Sequence, residues 1–220
     1  MDKNILDKAQ SWLNSNIDEE TKKEIRRMMD KEDKSELTEA FYKDLEFGTG
    51  GLRGIIGAGS NRMNKYTVGT ATQGLANYLK KSFPGQPIKV AIAHDSRNKS
   101  DFFTDTAAAV LSANGITVYV FEDLRPTPLL SYAVRKLGCQ SGIVITASHN
   151  PREYNGYKAY WDDGAQMVPP HDTNTIGEVN KIKNFDQVNF NRDDKKILKI
   201  GPEVENSYIH LRGAARVPAP

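Results

Sequence analysis

Between residues 88 and 146, short apolar runs alternate with stretches of helical period, and this alternation restricts the fold more than any other feature. Ile88 to Ala93, Ile116 to Phe121 and Gly142 to Thr146 are apolar, rich in β-branched residues and too short for buried helices, so they read as strands. Ser100 stands where a helix cap is expected, before Phe103, Ala107, Val110 and Leu111 at helical spacing, and Asn114-Gly115 is a stop signal. A helix is expected after Pro128, ending near Gly138, and another over about 66–81, with Val68, Ala71, Leu75, Tyr78 and Leu79 on one face. Tyr157 to Trp161 reads as a fourth strand, and a helix around Thr175–Ile182 follows Pro169-Pro170. Strands separated by helices predict an α/β sheet covered by helices on its faces. Ligands of such sheets bind beyond the carboxyl ends of the strands, which directs attention to the loops after Ala93 and Thr146.

The flanks differ from this body. Residues 1–45 are polar with narrow apolar stripes: Ile5, Ala9, Trp12 and Leu13, then Ile25, Met28 and Met29, then Leu37 and Phe41. Such stripes suit a helical extension lying on a larger body. At Phe47 the composition changes to the glycine-dense run Phe47-Gly48-Thr49-Gly50-Gly51-Leu52-Arg53-Gly54. From about 186, Asn, Asp and Lys are frequent, and Ile197-Leu198-Lys199-Ile200 resembles a strand; residues 186–220 are expected to be a linker and the start of a further domain. Residues 211–220 shift again, to Ala, Arg and Pro, and read as a frayed end or as foreign sequence.

Lys and Arg number 30 against 28 for Asp and Glu, a net charge of +2, which argues against nucleic acid or an acidic membrane as partner. The lone cysteine, Cys139, allows neither an internal disulfide nor a thiolate metal cage. The start of the chain lacks a signal-peptide pattern, and no apolar run approaches the roughly 20 residues that span a bilayer. A cytoplasmic location is expected.

The loop after the third strand carries the chemistry. Ile143-Val144-Ile145-Thr146 runs into Ala147-Ser148-His149-Asn150-Pro151, so Ser148 is expected to be exposed at a strand's carboxyl end. By composition alone the loop reads as a polar turn. A hydrolase reading is weaker still, because Gly-x-Ser-x-Gly is absent around Ser148. In extended backbone, adjacent side chains diverge, which makes His149 a poor general base for Ser148. His94, His171 and His210 lack metal-ligand spacing.

Thr146-Ala147-Ser148-His149-Asn150-Pro151, with Tyr154-Asn155-Gly156-Tyr157-Lys158, resembles the phosphoserine signature of the alpha-D-phosphohexomutases, the phosphoglucomutases and phosphomannomutases. Phe47 to Gly54, His94-Asp95-Ser96-Arg97 with Ser100, Pro126-Thr127-Pro128, Asp163-Gly164-Ala165-Gln166 and Pro169-Pro170 agree in order and spacing. The resemblance covers about 46–185. It implies the family's first domain, with a mixed, mostly parallel sheet sandwiched between helices, after a helical extension over 1–45 like that of the branch acting on glucose and pentose phosphates. It implies an isomerase in which phosphoserine 148 exchanges phosphate between the 1- and 6-positions of a hexose phosphate through a bisphosphate.

The resemblance further implies Ser148, Lys158, Arg53 and His149 as catalytic residues. Arg53, Arg97, Asn150 and Lys158 would bind substrate or phosphate. Arg53 follows glycines that let backbone approach an anion, and its fork suits phosphate oxygens. Lys158 would be the general acid/base, its pKa lowered in a basic site. Arg97 either reaches phosphate or pairs with Asp95. Mg²⁺ is the expected cofactor, with a Ser148 phosphate oxygen as one ligand, and glucose 1,6-bisphosphate the expected activator. The family's Asp-Gly-Asp-x-Asp-Arg metal loop is absent from the sequence, as are its sugar-selecting and final phosphate loops. The chain therefore reads as a portion of a longer mutase, with little or no turnover by itself and with sugar phosphates as small-molecule partners. The alternatives are a phosphopentomutase, a sugar-bisphosphate synthase, a non-catalytic sugar-phosphate-binding module, and an α/β interaction domain.

Overall fold

The computed structural model describes residues 2–48 and 50–214, with backbone alone for 212–214. The Ala-Arg-Pro end from residue 215 onward and Thr49 of the glycine motif lie outside the described residues.

Three helices come first. In α1 (Lys3–Leu13) Asp2 caps the amino end by accepting from Asn4 N, and in α2 (Glu19–Asp30) Asp18 accepts from Thr21 N, with Glu19 and Glu20 in the favourable first turn. α3 (Ser35–Phe41) closes the set. Ile5, Ala9, Trp12, Ile25, Met28, Leu37 and Phe41 meet over Ala58 and Tyr66, which belong to the larger body. Trp12 stands edge-on to Phe41, Tyr66 and Phe185, and the Tyr66 hydroxyl donates to Asp18 Oδ2 at 2.6 Å. Burial works to raise the Asp18 carboxyl, but hydrogen bonds from Tyr66 and Thr21 outweigh it and hold the group below its ordinary value. Burial, then the bond to Asp18, pushes the Tyr66 phenol up. The extension thus has its own small core and is tied down by a charge-assisted bond.

The body is one six-stranded sheet in the order β1-β5-β4-β2-β3-β6. Its strands are β1 (Gly51–Ile55), β2 (Lys89–His94), β3 (Thr117–Phe121), β4 (Ser141–Ile145), β5 (Tyr154–Tyr160) and β6 (Ile197–Ile200). The strands β4, β2, β3 and β6 pair in parallel, and β5 runs antiparallel to both β4 and β1. The sheet is mixed and mostly parallel, as expected, and it is covered on both faces. On one face α4 (Lys65–Ser82) and α5 (Ser100–Ala113) pack Leu75, Leu79, Phe103 and Leu111 onto Ile92, Val118, Ile143 and Tyr157, with α7 (His171–Val179) against α4. On the other, α6 (Thr127–Lys136) and α8 (Pro202–Ala214) set Leu130, Val134 and Val204 against Ala91, Val144 and Tyr160. Asn64 and Thr67 form a capping box on α4. Cys139 is buried, which pushes its thiol up to about 12 and leaves it inert. Among the described residues no helix is long and apolar enough to cross a membrane.

One local element is added and two expectations are corrected. The glycine-dense run, given no element by the sequence, contains an edge strand, Gly51–Ile55. A Cβ on Gly51 would lie 1.9 Å from Tyr157 O, so this glycine serves the close approach of two strands. Ser100 does not cap α5; the helix begins at Ser100, preceded by Lys99 at φ 59°, and the Ser100 hydroxyl turns to other partners. Finally, Ile197–Ile200, expected at the start of a further domain, pairs in register with Val118–Phe121 and completes the same sheet, because β3 otherwise leaves an open ladder on that side.

Candidate active site

The site lies at the carboxyl ends of β2 and β4, where the sheet's ladder hands over to loops. Asp95 N bonds Ile145 O and Thr146 N bonds Gly156 O, so the two loops leave the sheet side by side. Gly156 makes that junction possible, since a Cβ there would lie 2.5 Å from Thr146 O. The chain then turns through Ser148 in a left-handed conformation, φ 57°, which costs a non-glycine residue about 1–2 kcal/mol. Ser148 N donates to Thr146 Oγ1 at 3.0 Å, and the residue is exposed.

This left-handed turn corrects one expectation. In extended backbone His149 would point away from Ser148, but here Ser148 Oγ and His149 Nδ1 lie 3.4 Å apart. The contact is too long for a strong bond and close enough for a proton relay after small movement.

Arg97 dominates the surroundings of the loop. Its Nη2 donates to Ser148 O at 2.7 Å and Asn150 O at 2.6 Å, and its Nη1 to Pro151 O at 2.9 Å and Tyr154 O at 3.2 Å. Nε faces Asp95 Oδ2 at 3.4 Å. Behind it, Asp95 Oδ1 accepts from Arg97 N and Ser100 Oγ, and the buried Asn155 donates to Ser100 Oγ and Asn98 O. Of the two readings of Arg97 left open by the sequence, the geometry shows the Asp95 pair.

The remaining cations are differently placed. Arg53 Nη1 donates to Asn150 Oδ1 at 3.0 Å, reaching the serine loop from β1. Lys158 pairs with Gly51 in the β1–β5 register and Arg53 with Gly156, which puts both side chains on one face of this antiparallel edge. They line a groove together with Tyr42, Lys43 and Glu46, at the carboxyl-terminal end of the extension. Ser148, Asn150 and Arg97 line a neighbouring hollow with Arg152, an exposed cation that sequence reasoning passed over. Its place directly after Pro151 was the available signal. Among the described residues, neither Lys158 nor Arg152 has a hydrogen-bonding or ionic side-chain partner. The structure therefore gathers Ser148, His149, Asn150, Arg53 and Arg97 at one loop and sets Lys158 in the adjoining groove.

For metal, the donor set is thin. Among the described residues no three His, Cys, Asp or Glu side chains come together. Asp95, the carboxylate lining the Ser148 hollow, is already engaged by Arg97 and Ser100. The residues present do not fit a Mg²⁺ site that this chain closes by itself.

A probable phosphoribomutase of Schizosaccharomyces pombe is 41% identical over 182 residues, covering 82% of this chain and 31% of that protein. A phosphopentomutase of Homo sapiens is 41% identical over 168 residues, covering 73% and 28%. A phosphoglucomutase of Staphylococcus saprophyticus is 37% identical over 202 residues, covering 90% and 36%. The chain thus spans about a third of the length of these relatives. A crystal structure of a Thermus thermophilus protein named for phosphomannomutase shares the fold, with a TM-score of 0.67 over 79% of this chain and 36% of that one, at 24% identity. The family model for phosphoglucomutase/phosphomannomutase, alpha/beta/alpha domain I, matches residues 44–186, and the chain belongs to the phosphoglucomutase/phosphomannomutase family through this domain.

Proposed function

We propose that the chain is the phosphoserine-bearing domain of a sugar-phosphate mutase that interconverts the 1- and 6-phosphates of a hexose through a bisphosphate. The observation that carries the reading is Ser148: a strained, exposed serine at the carboxyl end of a central strand, with Arg53 tied into its loop and Arg152 beside it. A phosphoserine there carries about −1.5 to −2 charges near neutral pH and needs such cations. The domain itself is taken as 46–185, behind the extension at 1–45.

In the first half-reaction the bond between Ser148 Oγ and phosphorus breaks, and a new bond forms to the free hydroxyl of the sugar monophosphate. The hydroxyl proton passes to Lys158, and Ser148 Oγ, as leaving group, takes a proton from the His149 ring, whose Nδ1 lies 3.4 Å away. After the bisphosphate turns over, Ser148 Oγ gives its proton back to His149 as it takes the other phosphoryl group, and Lys158 returns its proton to the sugar oxygen. Arg53, with its planar fork, and Asn150 hold phosphate oxygens through these steps. A Mg²⁺ ion would neutralise phosphate charge, with a Ser148 phosphate oxygen as one ligand, but the residues described here do not close a site for it.

A second reading has specific support. Relatives named phosphoribomutase and phosphopentomutase are 38–41% identical to this chain, so a pentose phosphate is the rival substrate.

The test is intact mass and peptide mapping of the chain after incubation with glucose 1,6-bisphosphate and Mg²⁺. The expected result is one added phosphate on Ser148, absent in Ser148→Ala. A sugar phosphate that binds both proteins equally without phosphorylating either overturns the reading in favour of a binding module.

A further inference from the structure

We infer that Arg97 is a positioning residue that clamps the Ser148 loop, and that it does not bind the transferring phosphate. An arginine has five N–H donors and no more. Here two on Nη2 go to the carbonyls of Ser148 and Asn150, two on Nη1 go to those of Pro151 and Tyr154, and the one on Nε faces Asp95. The fork is spent, and its side chain is 14% exposed. A phosphate at this guanidinium would have to displace bonds that hold the loop together.

The bonds also explain the left-handed serine. Turning the carbonyls of four residues, between 148 and 154, onto one cation bends the chain around it, and the positive φ of Ser148 follows from that bend. The strain is offset by charge-assisted bonds to a largely buried group. The clamp has its own foundation. Asn155, fully buried on β5, donates to Ser100 Oγ on α5, which donates to Asp95 on the loop after β2, which holds Arg97. Elements on both sides of the loop therefore set where Ser148 Oγ stands. Lysine cannot take over, because its point-like ammonium has three donors and cannot span four carbonyls. A phosphate-binding arginine, in contrast, tolerates lysine in part, since lysine binds phosphate as a point charge.

The experiment compares Arg97→Lys, Arg97→Met and the milder Ser100→Ala with the wild-type chain, by hydrogen exchange and by Ser148 phosphorylation from glucose 1,6-bisphosphate. The second readout rests on the mutase reading; the first does not. In both Arg97 variants, exchange over residues 148–155 accelerates by roughly tenfold or more, while the amides of β2 and β3 stay protected. Ser100→Ala shows a smaller acceleration in the same segment, which keeps the inference testable if the Arg97 variants fail to fold. The maximal phosphorylation rate falls equally in Arg97→Lys and Arg97→Met, with the half-saturating bisphosphate concentration within about twofold of wild type. Wild-type loop protection in Arg97→Lys, or a raised half-saturation with the loop still protected, overturns the clamp and makes Arg97 a phosphate ligand. If the wild type gains no phosphate, exchange alone decides the clamp, and the mutase reading fails separately.

Discussion

The site has two halves that use the same residue types in opposite ways. In the half around Ser148, Arg97 is enclosed and its guanidinium is consumed by backbone carbonyls and Asp95. In the half along the β1–β5 edge, among the described residues, the Lys158 side chain has no hydrogen-bonding or ionic partner and the Arg53 side chain makes one bond, to Asn150. The difference teaches that positive charge at the proposed phosphate site is not one property. A cation whose donors are satisfied by the protein fixes geometry, whereas one whose donors are free is available to an anion. Asn150 joins the halves, its carbonyl held by Arg97 and its side chain by Arg53.

The largest effect expected from this contrast is at Lys158. Lys158→Met should slow Ser148 phosphorylation by roughly 10²–10⁴-fold, the loss expected for the proposed general acid/base. It should leave the melting temperature almost unmoved, because no structural bond is lost. A melting temperature that falls with the rate would mean that the open half is as structural as the clamped one.

Gly156→Ala probes the clamped half from beneath. A methyl group there would lie 2.5 Å from Thr146 O, so the variant should lose about 2–3 kcal/mol in urea denaturation. Retained stability would show that the junction of β4 and β5 can relax and that the loop is less constrained than its bonds suggest.

Ser148 itself separates strain from chemistry. Both Ser148→Gly and Ser148→Ala remove the hydroxyl, but glycine accepts a φ of 57° without penalty. Ser148→Gly should be more stable than Ser148→Ala by roughly 1 kcal/mol, read from denaturant midpoints at equal slope. Equal midpoints would mean that the turn carries no strain.

The smallest effect concerns the wall of the open half. Asp18 ties the helical extension to Tyr66, and the extension supplies Tyr42 and Lys43 to the groove. The folded carboxyl of Asp18 is held below its ordinary 3.8. Its contribution is therefore complete above that value and is lost as pH falls through the lower folded value. Asp18→Asn should cost at most about 1 kcal/mol at neutral pH, because the group is exposed and screened. It should also flatten the acid limb of a stability-against-pH curve below 3.8. An unchanged acid limb would show that the extension is held by its apolar contacts alone.

Much of this was legible from the chain. The runs at Ile88, Ile116 and Gly142 are strands because a β-branched apolar segment between helices has few other ways to bury itself, and Ser148 is exposed because β4 ends at Ile145 and the small polar residues after it form a loop. Less legible were β1, where glycine hides a strand's pattern because close packing against β5 admits no side chain, and Ser100, whose hydroxyl left its local capping role for Asp95 and Asn155. The nearness of the His149 ring to Ser148 Oγ was not legible, because adjacent side chains diverge only in extended backbone, and Ser148 is not extended.

The division follows the range of the forces. Apolar period, turn residues and caps act over a few neighbouring positions, so the sequence by itself determined the α/β alternation, the helical extension and the loop that bears the serine. Which cations are spent and which stay free depends on groups brought together from 95 to 158 by the closing of the sheet. Hydrogen bonds of that kind have no signature in local spacing, and the tertiary structure alone set Arg97 among four carbonyls while it left Lys158 open.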